Sequence, residues 1–470
     1  MKIKGLRWWI ISLVFLAAVL NYVDRQTLSA LAPTIQKDLA MDDQDYANVV
    51  NIFLIAYTAS YIFAGKLADK LGTRMGMGLF VAFWSVSNML TAAAHGVRSL
   101  GAYRFLLGLG EAGVWPAASK SVSEWFPPKE RGLAIGFYTM GATIGATIAP
   151  YIVIPLGTFD YATHLPWLSN LLGQGAGWRI AFILTGAAGL LWLLPWLWLY
   201  RQPRESKFLH DDELKVIEES DSADPLKAKA NLEPAWGWGR VLTFKATWLL
   251  LVGRLLTDGV WYFYQFWFPK YLNTERGLSQ EQLKITWVVY AAAGVGSILG
   301  GWLSGVLIKR GAGHASSRMW VMLGCAVLMP LSALITHVAG VNTALVLTVV
   351  VVIASLAWLI NISSIIVDLV PRHSVGTVFS VVAAGSTLGG IMMNTVVAAM
   401  LSDPTTPAKA GGFFDQAIRA VLGGVLELVA GKGYELWFWM MAFLHPLALV
   451  ILFVGGVHRA SRSKPKEPAV

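Results

Sequence analysis

The chain has 470 residues, of which 56% are hydrophobic and only 14% are charged, and its formal net charge is +9. A soluble globular protein carries about 25% charged residues, so this composition excludes that class and indicates a membrane protein. The single cysteine excludes a disulfide within the chain. The positive charge requires no nucleic-acid partner, because basic residues along the inner membrane face account for most of it.

Twelve apolar runs, each close to the roughly 20 residues that cross a bilayer, follow one another along the chain. The first follows three basic residues and has no small-residue cleavage site, so we expect a retained helix and not a signal peptide. The predicted spans are 8–31, 47–67, 77–95, 100–125, 132–156, 179–199, 245–271, 283–308, 319–338, 344–368, 377–401 and 434–457.

The distribution of lysine and arginine predicts the topology. With an even number of spans, both ends lie on one side, and cytoplasmic loops carry the basic excess. The two tails and the loops on their side hold 22 of the 37 basic residues, the opposite loops hold 6, and 9 lie within spans. Both termini are therefore predicted to be cytoplasmic.

The longest polar stretch separates two sets of six spans. We expect an amino-terminal bundle at 1–200, a cytoplasmic linker at 201–244, a carboxyl-terminal bundle at 245–457 and a cytoplasmic tail at 458–470. Within the linker, the sequence DDELKVIEE predicts a short amphipathic helix along the membrane surface.

The loop after the second span reads GKLADKLGTR, and the loop after the eighth reads GWLSGVLIKRG, with G-x-L-x-x-x-L in common. This pattern resembles the loop signature of the major facilitator superfamily, which implies a fold of two six-helix bundles around a central cavity. In the second copy Gly305 replaces Asp69, which favours a simple basic turn there. The predicted gating residues are Gly65, Asp69, Gly72, Arg74 and Arg131, with Asp69 expected to pair with one of the two arginines.

Charged side chains inside the first and fourth spans are the strongest functional signal. Asp24 and Arg25 are adjacent, and Arg104 and Glu111 are seven residues apart, which places them on one helix face. Charges within a span are costly and rare, so we predict a functional site, with a static ion pair as the alternative. For Lys120, snorkelling to the interface and a functional role are equally favoured.

The fourth span reads R-x-x-x-G-x-x-E-A-x-x-x-P and continues into E-W-F-P-x-x-E-R. This pattern resembles the anion:cation symporter family of the major facilitator superfamily. The opening KGLRWW and the seventh-span stretch RLLTDGVWYFYQFWFPKYL are similar to the hexuronate branch, which carries glucuronate and galacturonate. The resemblance implies a multi-pass protein of the cell inner membrane.

The same resemblance implies roles for individual residues. Asp24 and Glu111 correspond to proton-coupling acids, and Arg25 to the arginine that holds the substrate carboxylate. Tyr57 corresponds to a substrate-contacting tyrosine of galactonate transporters. Ala142 replaces a glutamine of those relatives, which argues against galactonate.

A sugar acid requires a cation for its carboxylate, hydrogen-bonding groups for its hydroxyls and aromatic surface for its C–H faces. Trp267 and Tyr271 are better explained by the interfacial aromatic belt, and Asn394 by a bond between helices. We expect Arg254 and Asp258, spaced i,i+4, to pair with each other. The predicted substrate-binding residues are Arg25, Arg104, Tyr57, Trp261, Tyr264, Gln265, Trp358, Asn361, Ser364 and Ser380.

We therefore predict a monomeric secondary active transporter that imports a hexuronate-like organic anion with a proton. No phosphate-binding loop and no cluster of histidine and cysteine occurs in the sequence, so no cofactor, no metal and no enzymatic activity are expected. Carriers of aldonates, glucarate or other carboxylates remain open, as does Na⁺ in place of H⁺. A proton-driven drug exporter shares the fold but lacks paired arginines, and a membrane enzyme or sensor is the most distant alternative.

Overall fold

The computed structural model of the chain describes residues 2–126, 128–167, 170, 176–222, 236–370, 372–402 and 413–457. These residues are helical almost throughout, and the β contact found among them is an isolated parallel bridge between Ile3 and Leu209. Eight helices of the described residues are long and apolar enough to cross a membrane. The predicted all-α membrane class is thus confirmed.

Residue contacts divide the chain into two compact units. The first unit is Met1–Leu226 together with Phe266–Tyr290, and the second is Lys227–Gln265 together with Ala291–Val470. The helices of Met1–Leu226 in chain order are α1 Leu6–Ala30, α2 Ala32–Asp38, α3 Asp43–Thr91, α4 Val97–Glu111, α5 Val114–Trp125, α6 Pro128–Thr158, α7 Tyr161–His164, α8 Ala176–Leu199 and α9 Asp211–Ser222.

The remaining helices follow in the same order. They are α10 Trp238–Thr243, α11 Lys245–Phe266, α12 Phe268–Thr274, α13 Trp287–Lys309, α14 His314–Leu328, α15 Val341–Leu369, α16 Arg372–Leu401, α17 Phe413–Val429 and α18 Gly433–Val454. Short 3₁₀ segments lie at Pro203–Glu205, Gln282–Thr286 and Met329–Leu334.

The predicted spans map onto these helices with three interruptions. Spans two and three both lie in α3, which is kinked at Gly72, where the backbone leaves the helical conformation at φ 77° and ψ 158°. Span four divides into α4 and α5, and span seven divides into α11 and α12. The amphipathic linker helix predicted at DDELKVIEE is confirmed as α9, whereas α17 was not predicted.

Glycines allow α1 and α6 to touch backbone to backbone. A Cβ atom on Gly141 would lie 2.5 Å from the carbonyl oxygen of Phe15, and one on Gly145 would lie 2.4 Å from that of Val19. Both distances are shorter than any real Cβ contact, so only glycine permits this approach. Small residues spaced i,i+4 bring membrane helices together in this way.

The second unit repeats the arrangement between α11 and α16. A Cβ on Gly385 would lie 2.4 Å from the carbonyl oxygen of Leu251, and one on Gly389 would lie 2.3 Å from that of Leu255. In both units, therefore, the fifth span of a six-span set packs through a glycine pair on the first. This correspondence agrees with the internal repeat indicated by the two loop motifs.

The linker is bound to the amino end of α1. Glu213 of α9 accepts hydrogen bonds from the backbone N–H groups of Leu6, at 3.1 Å, and Arg7, at 3.3 Å. Lys2 pairs with Asp211, and this cation and its hydrogen bond lower the pKa of the Asp211 carboxyl. Gly5, the N-cap residue of α1, has no side chain to serve the free N–H groups, so Glu213 supplies their acceptor.

Candidate functional site

A buried ion pair joins α1 to the end of α4. Arg25 donates from Nε, at 3.0 Å, and from Nη2, at 2.6 Å, to the same oxygen, Oε2 of Glu111. The guanidinium carbon also lies 5.0 Å from the ring centroid of Tyr22, 5.3 Å from that of Phe53 and 4.9 Å from that of Tyr57. Three aromatic rings and one carboxylate thus hold the cation in place of water.

Arg104, on α4, is fully buried. None of its three guanidinium nitrogens hydrogen-bonds to a described residue. Its guanidinium carbon lies 4.9 Å from the ring centroid of Phe53, the ring that Arg25 also contacts. A buried charge without hydrogen bonds is strongly unfavourable. Arg104 is therefore a cation with the capacity to bind an anion through two parallel N–H groups.

Asp24 is fully buried and points away from Arg25. Its Oδ2 accepts a hydrogen bond from Trp84 Nε1 at 3.1 Å, and its Oδ1 accepts one from Asn88 Nδ2 at 2.7 Å. Asn88 also donates to the hydroxyl of Thr185 on α8. Adjacent helical side chains diverge by about 100°, so Asp24 and Arg25 reach different partners although they are neighbours in sequence.

Trp84 and Asn88 are site residues that the sequence did not identify. Both lie on α3, one turn apart, and both donate to Asp24. The signal available in the sequence was Asn88, an amide in a span without charged residues, and the structure shows that it is fully buried. A polar side chain at such a position requires a partner within the protein.

The residues predicted on the seventh span lie at the end of α11. Tyr264 and Gln265 are buried, whereas Trp261 is half-buried. Arg254 and Asp258, on the same helix, form the predicted i,i+4 pair, with Nη2 and Oδ2 at 2.7 Å. This local pair satisfies both buried charges, in contrast to Arg104.

On α15, the predicted binding residues make bonds within the second unit. Trp358 is fully buried and donates to the Thr257 hydroxyl at 3.1 Å. Asn361 donates to the carbonyl oxygens of Gly300, at 3.0 Å, and Ala357, at 2.8 Å, so it joins α15 to α13. Ser364 donates to a carbonyl of its own helix. The Ser380 side chain lies outside the described residues.

The predicted gating loop is described in part. Gly72 adopts the left-handed φ that the tight turn requires. Arg74 donates to the carbonyl oxygen of Leu197 at the end of α8, and the Trp196 ring donates back to the Arg74 carbonyl at 3.0 Å. Gly65 lies within α3, and the side chains of Asp69 and Arg131 lie outside the described residues, so the expected pairing of Asp69 stays a prediction.

Two other predictions concern a cation and a metal. Lys120 is half-buried on α5, nine residues after Glu111. Within the described part of the chain, no group of three or more histidine, cysteine or acidic side chains is arranged to hold a metal ion.

Buried acids and arginines in a bundle of apolar helices define an integral membrane protein with a charged interior. The sequence model of the Major Facilitator Superfamily matches residues 14–393, and the chain belongs to this family of membrane transporters. Among solved structures, a bacterial homologue of the human lysosomal transporter Spinster has a TM-score of 0.76 at 21% identity, covering 99% of this chain and all of that one. The D-xylose-proton symporter has a TM-score of 0.67 at 15% identity, covering 94% and 96%. These structural likenesses confirm the fold.

Relatives found by sequence have higher identity to this chain than these two solved structures have. The hexuronate transporter of Escherichia coli K12 is 35% identical over 70% of this chain and 72% of that protein. The galacturonate transporter of Dickeya chrysanthemi is 32% identical over 64% of this chain and 82% of that protein. The D-galactonate transporter of Escherichia coli O6:H1 is 28% identical over 83% and 88%.

Proposed function

We propose that this protein imports a hexuronate-like sugar acid by proton symport with alternating access. The observation that carries the proposal is the fully buried guanidinium of Arg104, which has no hydrogen-bond partner among the described residues and lies beside the Arg25–Glu111 ion pair. The names of the hexuronate and galacturonate relatives support the substrate class. We further propose a monomer in the cell inner membrane, with both termini in the cytoplasm because the loops on that side carry the excess of basic residues.

The two arginines can act on one carboxylate. Each guanidinium carbon lies about 5 Å from the Phe53 centroid, so the two carbons are separated by no more than those two distances together. In the structure Arg25 is hydrogen-bonded to Glu111, whereas Arg104 hydrogen-bonds to no described residue. A substrate carboxylate placed between them would supply Arg104 with its missing acceptors.

Proton coupling follows from competition for Arg25. While Glu111 is ionised, it holds Arg25 through two hydrogen bonds to one oxygen. Protonation of Glu111 removes the negative charge and frees Arg25 to join Arg104 on the substrate. Proton and anion therefore favour each other's binding, and the loaded site has less uncompensated charge to bury during the conformational change.

Asp24 has a different place in the proposed cycle. Its two oxygens are held by Trp84 and Asn88 on α3, so it links the helix that carries Arg25 to a helix that carries no charge of the site. We assign it a second proton-coupling role, in which its charge state changes the hold of α3 on α1.

Uptake into proteoliposomes tests this function. Labelled glucuronate, galacturonate, gluconate and glucarate are offered with and without an acid-outside gradient, and Arg104→Gln is compared with Arg98→Gln, an exposed arginine on the same helix. Loss of two charge-assisted bonds of roughly 1.5 kcal/mol or more each predicts at least about 100-fold weaker binding in Arg104→Gln. Arg98→Gln should retain the affinity of the unmodified protein.

The outcome also separates the alternatives. Uptake of gluconate or glucarate alone would show that the substrate belongs to another class of sugar acid. Binding of lipophilic cations without uptake of any acid would favour a proton-driven drug exporter instead. Arg104→Gln with unchanged affinity would remove Arg104 from the binding site.

A further inference from the structure

Asn21 is a buried polar side chain that the proposed cycle does not yet use. It lies in the middle of α1 with no exposed surface, and neither its Oδ1 nor its Nδ2 hydrogen-bonds to a described group. Oε1 of Glu111 is likewise buried without a hydrogen bond, because Arg25 binds only Oε2. Such groups in folded proteins are as a rule satisfied by protein or by water.

Helix geometry places Asn21 beneath both charged residues of α1. At 100° per residue, it lies about 60° from Asp24 and about 40° from Arg25, on opposite sides, so its side chain projects between theirs. It is also about 4.5 Å and 6 Å closer to the amino end of the helix. Asn21 therefore faces the interior where Asp24 meets α3 and Arg25 meets α4.

Contacts between α1 and the fourth span show where Asn21 lies along the helix axis relative to Glu111. Tyr22, its neighbour, packs edge-on against Trp115 with ring centroids 6.4 Å apart, and Trp115 is four residues beyond Glu111. The chains of α1 and of the fourth span thus run in opposite directions here, and Asn21 lies one turn past Glu111 on the side of the amino terminus.

The fourth span is interrupted at the same level. Helix α4 ends at Glu111 and α5 begins at Val114. Between them, Gly113 lies so close to the Phe80 ring that a Cβ atom would be 2.2 Å from it. The interruption places the Glu111 carboxylate at a helix end, and here the Gly113 N–H bonds to the carbonyl of Gly110, three residues before it, at 3.4 Å.

We propose that Asn21 and Oε1 of Glu111 bind a water molecule between them, and that this water takes the proton from Glu111 on its way to the amino-terminal side of the bundle. The inference rests on the proposed proton symport, in which that side is the cytoplasm. A buried water typically makes about three hydrogen bonds to groups that otherwise lack partners, and Asn21 offers both an acceptor and a donor.

The proton transfer is balanced as follows. The O–H bond of protonated Glu111 breaks, its electron pair stays on the carboxylate, and the water oxygen gains the proton as it passes one on to the next water. Asn21 gains and loses no proton and acts as a positioning residue. The ionised carboxylate then recovers its pair with Arg25. Of the other charged residues on α1, α4 and α5, Asp24 and Arg104 are fully buried. The rest are Arg7, Arg98, Lys120 and Glu124.

The test measures proton and substrate movement separately in proteoliposomes containing the full chain. Asn21→Leu fills the space with an apolar side chain, and Asn21→Ser restores a small hydroxyl. Thr27→Val is the matched control, since Thr27 is also buried on α1 but bonds only to the Val23 carbonyl of its own helix. A pH dye inside the vesicles reports proton entry, and labelled sugar acid reports uptake and exchange.

We expect Asn21→Leu to slow gradient-driven uptake and proton entry at least tenfold while exchange at equal pH stays within twofold, because exchange needs no proton release. Asn21→Ser should recover much of the uptake, and Thr27→Val should match the unmodified protein. Normal uptake in Asn21→Leu, or equal loss of uptake and exchange, would overturn the proposal. If the unmodified protein exchanges the acid but never accumulates it with a pH gradient, proton symport itself is wrong.

Discussion

Replacing Glu111 with glutamine tests the competition for Arg25 most directly. The substitution keeps the shape of the side chain and removes its charge, so it imitates the protonated acid. In the structure, Oε2 receives two hydrogen bonds from Arg25, at 3.0 and 2.6 Å, and Glu111 has no exposed surface. A substrate carboxylate that needs Arg25 must displace this bonding whenever Glu111 is ionised.

The size of the effect follows from the strengths of the bonds. Hydrogen bonds with one ionised partner contribute roughly 1 to 2 kcal/mol more than neutral ones, and a pair with two ionised partners loses about this much when one becomes neutral. At 1.4 kcal/mol per factor of ten, Glu111→Gln should bind sugar acid about tenfold more tightly than the ionised form of the unmodified protein. Its affinity should not vary with pH.

Two assays follow. Calorimetric titration between pH 5 and 8 should show an affinity that falls with rising pH in the unmodified protein and stays constant in Glu111→Gln. In vesicles, the variant should exchange substrate across the membrane yet fail to accumulate it with acid outside. A variant that binds more weakly at high pH than the unmodified protein, or that still accumulates substrate, would refute the competition and leave Glu111 as a structural partner of Arg25.

Three further substitutions address other parts of the structure. Arg25→Lys should lose most substrate affinity although the charge remains, because a lysine cannot form the two parallel bonds; equilibrium binding measures this, and near-normal affinity would exclude the bidentate contact. Asp24→Asn should weaken the coupling between proton entry and substrate uptake, measured with the dye assay, and unchanged coupling would exclude its proposed role. Gly145→Ala should lower the thermal unfolding midpoint, at a cost of at least about 1 kcal/mol, because its Cβ meets a carbonyl oxygen, whereas Gly136→Ala, with open space at that position, should not. Equal midpoints for the two glycine variants would contradict the packing argument.

Local sequence rules succeeded where the interaction itself is local. The i,i+4 spacing of Arg254 and Asp258 predicts their pair because four residues make one helical turn. Likewise, the apolar runs locate the spans because the bilayer sets their length. The helix α17 escaped this rule, since its apolar residues form one face of a 17-residue helix and do not make a continuous run.

The arrangement of the charges was beyond such rules. Arg25 has Asp24 beside it in sequence, yet binds Glu111, which is 86 residues away. Asp24 in turn finds its donor Asn88 64 residues away. Composition and spacing identify which spans carry charge, but the choice between possible partners depends on the rotation and depth of each helix. Those are set by packing, for example by the contact of Gly145 with α1.

The attachment of Glu213 to the start of α1 has a consequence for how the protein is made. The first membrane helix leaves the ribosome long before the carboxylate that binds the Leu6 N–H, since 207 residues separate them. At the usual 5 to 20 residues per second, this interval lasts roughly 10 to 40 seconds. During that time the amino end of the helix depends on water or lipid headgroups for its hydrogen bonds. Assembly of the first bundle is therefore completed from its far end, when the newly synthesised linker folds back onto the oldest part of the chain.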